Sequence, residues 1–511
     1  MFCLKTPAFW RPDEVFTILF IARYYIPGNF IMNIYNTLTR YKEKFKPIIP
    51  GEVKMYACGI TVYDECHLGH AMQAIFFDLI RSYLEYSGLK VTYVRNYTDI
   101  DDKIINRARD TGRDPLELSQ YYINEAKADM KTLKVRPATF EPKVSDHIPD
   151  IIAFIQTLID KGFAYQAGSE IFFRVAKFAE YGKLSNRKPD ELLAEAGSDS
   201  AKESPNDFSL WKPAKPQEPA WDSPWGKGRP GWHIECSVMA KAFLGSTFDI
   251  HGGGLDIIFP HHENEIAQSE AANGCRFANY WVHNGLLMVE NKKMSKSLNN
   301  FVTIKSALGK YQPDVIRYMV LSFSISSNVN YTEANLAAAN RHVYNYYQAL
   351  ARVEEIIAAL QDGGEKASGA AAVDSLETVF RENMDDFFNS ARVLAHFPEM
   401  FKAMAELLNS KKLNAADKAA VCRKFKNNFG RIAAVLGILN ENPRQYLDAF
   451  TAQYVANNKL DIPALELKIQ ERNAARKNGD YKLSDSIRDA LLKTGIALQD
   501  APGGTKWTLV L

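Results

Sequence analysis

At 511 residues the chain exceeds what a single hydrophobic core organises, and about three domains are expected. Its 46 % hydrophobic and 24 % charged residues are ordinary for a soluble globular protein. With 62 basic residues against 60 acidic the net charge is only +2, which excludes a globally basic nucleic-acid binder; any such surface has to be a local patch.

Residues 1–31 open the chain with an apolar run of eight, Val15 to Ala22, preceded by Lys5 and Arg11 but also by Asp13 and Glu14. A cleanly positive start and a small-residue cleavage site are missing, so this reads as a loosely held extension, or Met32 as the natural start. No stretch approaches the roughly 18 apolar residues a membrane span needs, and no membrane partner is expected. Six cysteines, at 3, 58, 66, 236, 275 and 422, are too few for a disulfide framework and point to a reducing, cytoplasmic setting.

Lys54 to Ala57 reads as a buried strand ending at Cys58-Gly59. A helix follows from about Gly69 to Tyr86, with Ile75, Phe76, Leu79, Ile80, Tyr83 and Leu84 on one face and Gly88 as its stop. Lys90 to Val94 is a second strand, and strand, crossover helix and strand imply a parallel sheet. Residues 115–165 look mostly helical. Residues 186–231, rich in Pro, Gly, Ser and Trp, read as an irregular insertion over the sheet. Residues 247–285 return to short strands and one helix near Glu263–Ala272. From Asn335 the pattern is helical, interrupted by a flexible stretch from Gln361 to Ser375. A last segment starts near Asp461, with helices over Ala464–Asn478 and Leu483–Thr494 and a tail ending in KWTLV.

Three constellations carry chemistry. His67-Leu68-Gly69-His70 sits between a strand end and a helix start, where unpaired backbone donors and the helix dipole suit phosphate. Gly69 allows close approach, and two imidazoles could donate to phosphate oxygens; a pair of loop histidines is the plain alternative. Lys293-Met294-Ser295-Lys296-Ser297 places two lysines and two hydroxyls in a loop able to neutralise a leaving pyrophosphate, although such a run is ordinarily just a basic surface loop. The third set is Cys58, Cys236, His261 and Glu265: two thiolates, an imidazole and a carboxylate, a sensible zinc shell if 261 and 265 share a helix face. Buried thiols beside a charged helix start explain the same residues. A zinc hydrolase helix starting at His262-Glu263 would need a second histidine at 266, where Ile stands.

Together these residues resemble class I aminoacyl-tRNA synthetases: HLGH is similar to that class's first signature, with Leu68 in the usual Ile place, and 293–297 matches the second. More narrowly, MYACGITVYDECHLGH (55–70), RNYTDIDDKI (95–104), GRPGWHIECS (228–237), FDIHGGGLDIIFPHHENEIAQS (248–269) and NKKMSKSLNNF (291–301) resemble the cysteinyl-tRNA synthetase family. The resemblance runs from about Met32 to the C-terminus. It departs at Asn299, where Gly is usual, and at Tyr97, where Ile is common.

The resemblance implies an α/β fold: a Rossmann-type parallel-sheet catalytic domain over 32–334 with an inserted connective segment at about 140–231. A helical anticodon-stem bundle over 335–460 and a small tRNA-recognition domain over 461–511 would follow. It implies a catalytic Zn2+ on Cys58, Cys236, His261 and Glu265 that takes the substrate thiolate. ATP with Mg2+ would be bound by His67, Gly69, His70, Lys293, Met294, Ser295, Lys296 and Ser297, with His67, His70, Lys293 and Lys296 catalytic. Gly59, Thr61, Thr98, Trp232 and Asp256 fall in matching segments and would line the amino-acid pocket. L-cysteine, ATP and tRNA(Cys) are the implied partners of a monomer. In the last segment Lys468, Arg472 and Arg476 recur at four-residue steps, a basic face suited to phosphate or simply to solvent. Trp507 could stack on an anticodon base or anchor the tail. Two rivals share this core. A ligase joining cysteine to an amino sugar would lack the C-terminal region, and a dead synthetase retained for RNA binding would not need intact signatures.

Overall fold

The structure, a computed structural model, describes residues 31–187, 201–294, 300–359, 371–501 and 504–511. Four parallel strands form the central sheet: β1 (Glu52–Thr61), β2 (Lys90–Thr98), β3 (Phe248–Gly254) and β4 (Ala278–Asn284), in the order β4-β3-β1-β2. Helix α1 (Leu68–Tyr86) crosses from β1 to β2, α2 (Trp232–Leu244) leads into β3, and α3 (Glu263–Asn273) joins β3 to β4. The strand order reverses between β1 and β3. Open α/β sheets bind their ligands beyond the carboxyl ends of the strands at such a switch point.

Both strands of the first βαβ unit outrun their sequence-based limits. β1 continues past Cys58-Gly59 to Thr61 because the chain bulges: Ala57 is opposite Arg95, but Ile60 is opposite Tyr97, so Cys58 and Gly59 share the single partner Asn96. β2 continues past Val94 to Thr98 because its polar end is buried and hydrogen-bonded, with Asn96 1 % and Thr98 3 % exposed. Gly88, at φ +88°, follows α1 as expected.

The insertion between β2 and α2 is more ordered than its composition suggests. It contains helices Pro115–Thr132 and Ile148–Asp160 and an antiparallel sheet of Ala164–Ala167, Glu170–Phe173, Phe208–Pro213 and Gly228–Pro230. The expectation of irregular structure over 186–231 is corrected there: Trp211, fully buried, anchors a strand that the surrounding prolines and glycines disguise. Residues 188–200 of that stretch lie outside the described residues.

After β4 come α4 (Pro313–Leu321), α5 (Glu333–Ala359) and α6 (Ala415–Leu436), with further helices at Leu376–Met384, Phe397–Asn409 and Pro443–Asn458. One apolar core runs from α1 into these helices, through Ile75, Leu79, Ile316, Tyr347 and Phe425. A second lies across the sheet, around Tyr56, Ile151, Trp211, Ile234 and Trp281, and includes Cys58 and Cys236. Arg317 of α4, fully buried, donates to Asp78 of α1 (3.1 Å), to the carbonyls of Leu133 (3.1 Å) and Lys134 (3.2 Å), and to that of Leu436 at the end of α6 (3.0 Å). It joins the sheet to the helices. Of the expected 361–375 link, residues 361–370 lie outside the described residues and Ala371–Asp374 is helical.

The final segment contains α7 (Ile462–Lys477), a helix at Tyr481–Lys493 and a hairpin of Ile496–Ala501 with Gly504–Leu509. The expected KWTLV tail is therefore a paired strand. No described helix is long and apolar enough to cross a membrane, and residues 1–30 lie outside the described residues.

Candidate active site and metal centre

Beyond Ala57 and Gly252, β1 and β3 part, and the crevice opens there. Cys58 turns into it from the bulge. Cys236 enters from the second turn of α2. His261 comes from a short wide turn, Ile258–His262, and Glu265 from the first turn of α3. The wide turn runs directly into α3, so positions 261 and 265 share a face as expected, with His261 Nε2 3.0 Å from Glu265 Oε1. Cys58 Sγ lies 3.6 Å from Cys236 Sγ, 3.5 Å from His261 Nε2 and 3.2 Å from Glu265 Oε1. The four donor atoms lie within 4.8 Å of one another, and all four residues are buried.

Those separations suit a tetrahedral ion. Bonds of about 2.0–2.3 Å put ligand atoms roughly 3.3–3.8 Å apart, and a sulfur–sulfur distance of 3.6 Å is far beyond a disulfide. The electrostatics point the same way. Burial is the largest influence on both thiols and opposes ionisation: Cys58 is pushed well up, while Cys236, accepting from Cys58 and His261, is drawn down to about 6. Burial also opposes charge on Glu265, yet His251 and His261 hold its carboxyl well below the ordinary range. Two buried sulfurs against an ionised carboxylate are matched by a divalent cation.

A second group, Cys58, His251, His262 and Glu265, shares two of these donors. The first has two thiolates, the softer and more zinc-like set, and the extra histidines of the second support it. His251 Nε2 is 2.7 Å from Glu265 Oε2, and His262 Nε2 is 3.2 Å from Cys58 Sγ. His262 Nδ1 continues to His283 Nε2 (2.7 Å), whose Nδ1 reaches Thr37 Oγ1 (2.8 Å). His233 Nδ1 lies 3.0 Å from His261 Nδ1. Such outer contacts fix the rotation of ligands. Burial pushes His262 and His233 well below the usual imidazole range and His283 down to about 3, so these rings stay neutral. Sequence reasoning missed His233, His251, His262 and His283. The signal for the first three was the histidine density of GWHIEC, FDIHGGG and PHHENE around the chosen ligands, whereas His283, in YWVHNG, lies outside those stretches.

The HLGH segment starts α1. His67 caps it, its Nδ1 accepting from Gly69 N (3.1 Å) and His70 N (3.3 Å), while His70 Nδ1 accepts from His67 N (3.4 Å). The rings stack at 3.6 Å. Because each Nδ1 accepts a backbone N–H, each neutral ring carries its proton on Nε2 and is a donor there. Burial first, then the neighbouring His67, holds His70 well below the usual range. A Cβ on Gly69 would come within 3.6 Å of Met294 Cε, so the second signature begins against the first. Past it, Leu68 N donates to Val302 O (3.1 Å) and Ile304 N to Cys66 O (2.9 Å). Lys293 is exposed on a short strand, its carbonyl accepting from Asn300 Nδ2 at 3.2 Å. Ser295, Lys296, Ser297 and Asn299 lie outside the described residues.

The five pocket candidates fall differently. Thr98 is buried and donates to Glu235 Oε2 (2.9 Å), and Thr61 ends β1 beside it. Gly59 gives its N–H to Asn96 Oδ1 (2.8 Å). Trp232 is no core aromatic: it is 38 % exposed and its ring stacks on His261 at 4.2 Å. Asp256 is exposed at the carboxyl end of β3, folding back over Gly254.

The basic stripe on α7 is not a row of unpaired cations. Arg472 is buried and donates to both oxygens of Asp500 (2.5 and 3.0 Å), Arg476 reaches the same carboxylate, and Lys468 pairs with Glu471 at 2.7 Å. Trp507 is half-buried against Leu498 across the hairpin and packs with the core of α7. Arg472→Met should therefore loosen the hairpin, costing roughly 1 kcal/mol in thermal unfolding.

A parallel sheet with a phosphate-type helix start at its switch point, Met294 of the second basic signature close to that start and a buried two-cysteine centre define a class I aminoacyl-tRNA synthetase. The family model for the class I (C) tRNA synthetase catalytic domain matches residues 44–341, and that for the DALR domain matches 379–440. The fold is similar to methionyl-tRNA synthetase of Mycobacterium tuberculosis in complex with methionyl-adenylate, with a TM-score of 0.58 at 16 % identity over 78 % of this chain and 93 % of that one. The cysteine–tRNA ligase of Geotalea uraniireducens is 47 % identical over 94 % of this chain and 99 % of its own length. That of Geobacter sulfurreducens is 45 % identical over 93 % and 99 %. The chain belongs to the cysteine–tRNA ligase family.

Proposed function

We propose that this enzyme activates L-cysteine with ATP and transfers it to the 3′-terminal ribose of tRNA(Cys), with a zinc ion on Cys58, Cys236, His261 and Glu265. The convergence of those four donors at the sheet's switch point carries the reading. When bound, zinc supplies a soft Lewis acid that prefers the substrate thiolate to the harder, less acidic hydroxyl of serine.

The protein's own groups do the rest by placement and charge. The cysteine carboxylate, already ionised, forms a bond to the α-phosphorus while the bond to pyrophosphate breaks, so no side chain has to remove a proton. The Nε2–H groups of His67 and His70 and the positive end of α1 face the phosphates, supported by Lys293 and Lys296 and by Mg2+ carried with ATP. The tRNA ribose oxygen then bonds to the adenylate carbonyl carbon as the bond to AMP breaks, and the hydroxyl proton passes to a phosphate oxygen of the departing AMP. Trp232, stacked on His261, and Asp256 flank the amino-acid pocket with Thr61 and Thr98. We assign 32–334 to catalysis, 335–460 to the tRNA stem and 461–511 to tRNA recognition. The described cysteines are all free thiols, which suits the cytoplasm.

Elemental analysis of the purified protein should give one zinc per chain. Pyrophosphate exchange should favour cysteine over serine by far more than the roughly 10–200-fold that an apolar pocket can give. A metal-free protein with full cysteine selectivity would end this reading.

A further inference from the structure

The bulge in β1 leaves one peptide unit, that between Cys58 and Gly59, outside the regular ladder, and two side chains take it up. The Cys58 carbonyl accepts from Gln73 Nε2 at 2.6 Å, and the Gly59 N–H donates to Asn96 Oδ1 at 2.8 Å. The amide orientations follow from the partners, because a carbonyl only accepts and a backbone N–H only donates. Gln73 stands on α1 one turn beyond His70. Asn96 is the lone residue of β2 opposite the bulge.

Neither contact is incidental. Residue 59 has no room for a side chain: a Cβ there would lie 1.6 Å from the Asn96 carbonyl oxygen. Asn96 is 1 % exposed, its Oδ1 is 3.8 Å from Cys236 Sγ, and its Nδ2 reaches Thr98 Oγ1 at 3.4 Å. Thr98 in turn holds Glu235, the neighbour of Cys236 on α2. The plane of the 58–59 peptide sets where the Cys58 Cα–Cβ bond points, and so where its sulfur sits relative to Cys236, His261 and Glu265.

We propose that Gln73 and Asn96 are positioning residues that clamp the Cys58–Gly59 peptide and thereby hold Cys58 Sγ in the metal centre. The proposal rests on the zinc reading above and adds two residues outside the four-donor set. It differs from a general packing role in what it moves. A loosened α1 would disturb His67 and His70 and raise the KM for ATP, whereas a lost clamp acts on the thiolate side alone.

The test uses Gln73→Met, which keeps the side-chain shape and loses the donor, and Asn96→Leu, which loses the acceptor. Zinc is titrated into each metal-stripped, folded protein, and release from the loaded protein to a chelator is timed. Loss of an outer contact to a ligand ordinarily weakens a site about 10–100-fold. That drop is expected in both variants, with a raised KM for cysteine and a KM for ATP within about twofold of the parent. Gln73 is half-buried on a long helix, so should Asn96→Leu fail to fold, Gln73→Met decides alone. A folded Gln73→Met with parental zinc affinity and release rate overturns the clamp. A parent protein that takes up no zinc instead overturns the metal centre itself, and the two failures are told apart by the parent's titration.

Discussion

Replacing Cys236 by alanine should empty the metal centre and cut cysteine-dependent pyrophosphate exchange by about three orders of magnitude or more. The ligand set is minimal: four donors from three stretches of chain, Cys58, Cys236, and the pair His261 and Glu265. Removing one thiolate takes away a strong bond and leaves Cys58 beside the ionised Glu265 in a site where burial already opposes charge. The Cys58 proton is then retained, and a second donor fails with the first. Discrimination against serine should fall into the roughly 10–200-fold range of shape alone. Cys275→Ala is the matched control: that thiol is exposed and outside the centre, so zinc content and exchange should stay at parental levels. Elemental analysis and exchange with both amino acids check both variants, and a Cys236→Ala protein that keeps one zinc per chain contradicts the assignment.

The parts of this centre that were legible in the sequence are those with unusual chemistry. Cysteine and histidine at 58, 236 and 261 are rare enough to mark themselves, and HLGH announces a helix start through residue type and position. The supporting parts are common residues whose meaning is purely spatial. Gln73 looks like any polar position on an amphipathic helix, and Asn96 like a strand breaker; only the bulge opposite Asn96 makes either informative. The same blindness set the strand ends. RNYT extends β2 although its residues are mostly polar: all four side chains are buried, with Asn96 bonded to Gly59 N, Thr98 to Glu235, and Arg95 paired with Glu141. In the insertion, Pro and Gly suggested coil, although Pro213 and Pro230 close edge pairings around the buried Trp211. On α7 the four-residue spacing of cations showed a basic face but not its pairing: Asp500, the partner of Arg472 and Arg476, comes from a hairpin that such spacing cannot reveal.

His70→Asn should reduce the rate of adenylate formation by about 10²–10³ while leaving the helix intact. An asparagine oxygen replaces Nδ1 as the acceptor for His67 N, so the reciprocal cap at the start of α1 survives and stability should change by no more than about 1 kcal/mol. What disappears is the outward Nε2–H, and losing one preorganised donor to developing negative charge ordinarily costs about 10²–10³ in kcat. His70→Ala, which loses the cap as well, should add a measurable drop in thermal stability to the same kinetic loss. The pH dependence gives a separate check. Burial, and then His67, holds the His70 imidazole well below its ordinary value, so the ring is neutral on both sides of about pH 6.5 and protonates only much further into acid. Parental exchange should therefore show no inflection near pH 6.5 that His70→Asn removes. Such an inflection would mean that the ring charges in the working range, and that the donor acts as an imidazolium rather than through the neutral Nε2–H set by the backbone cap.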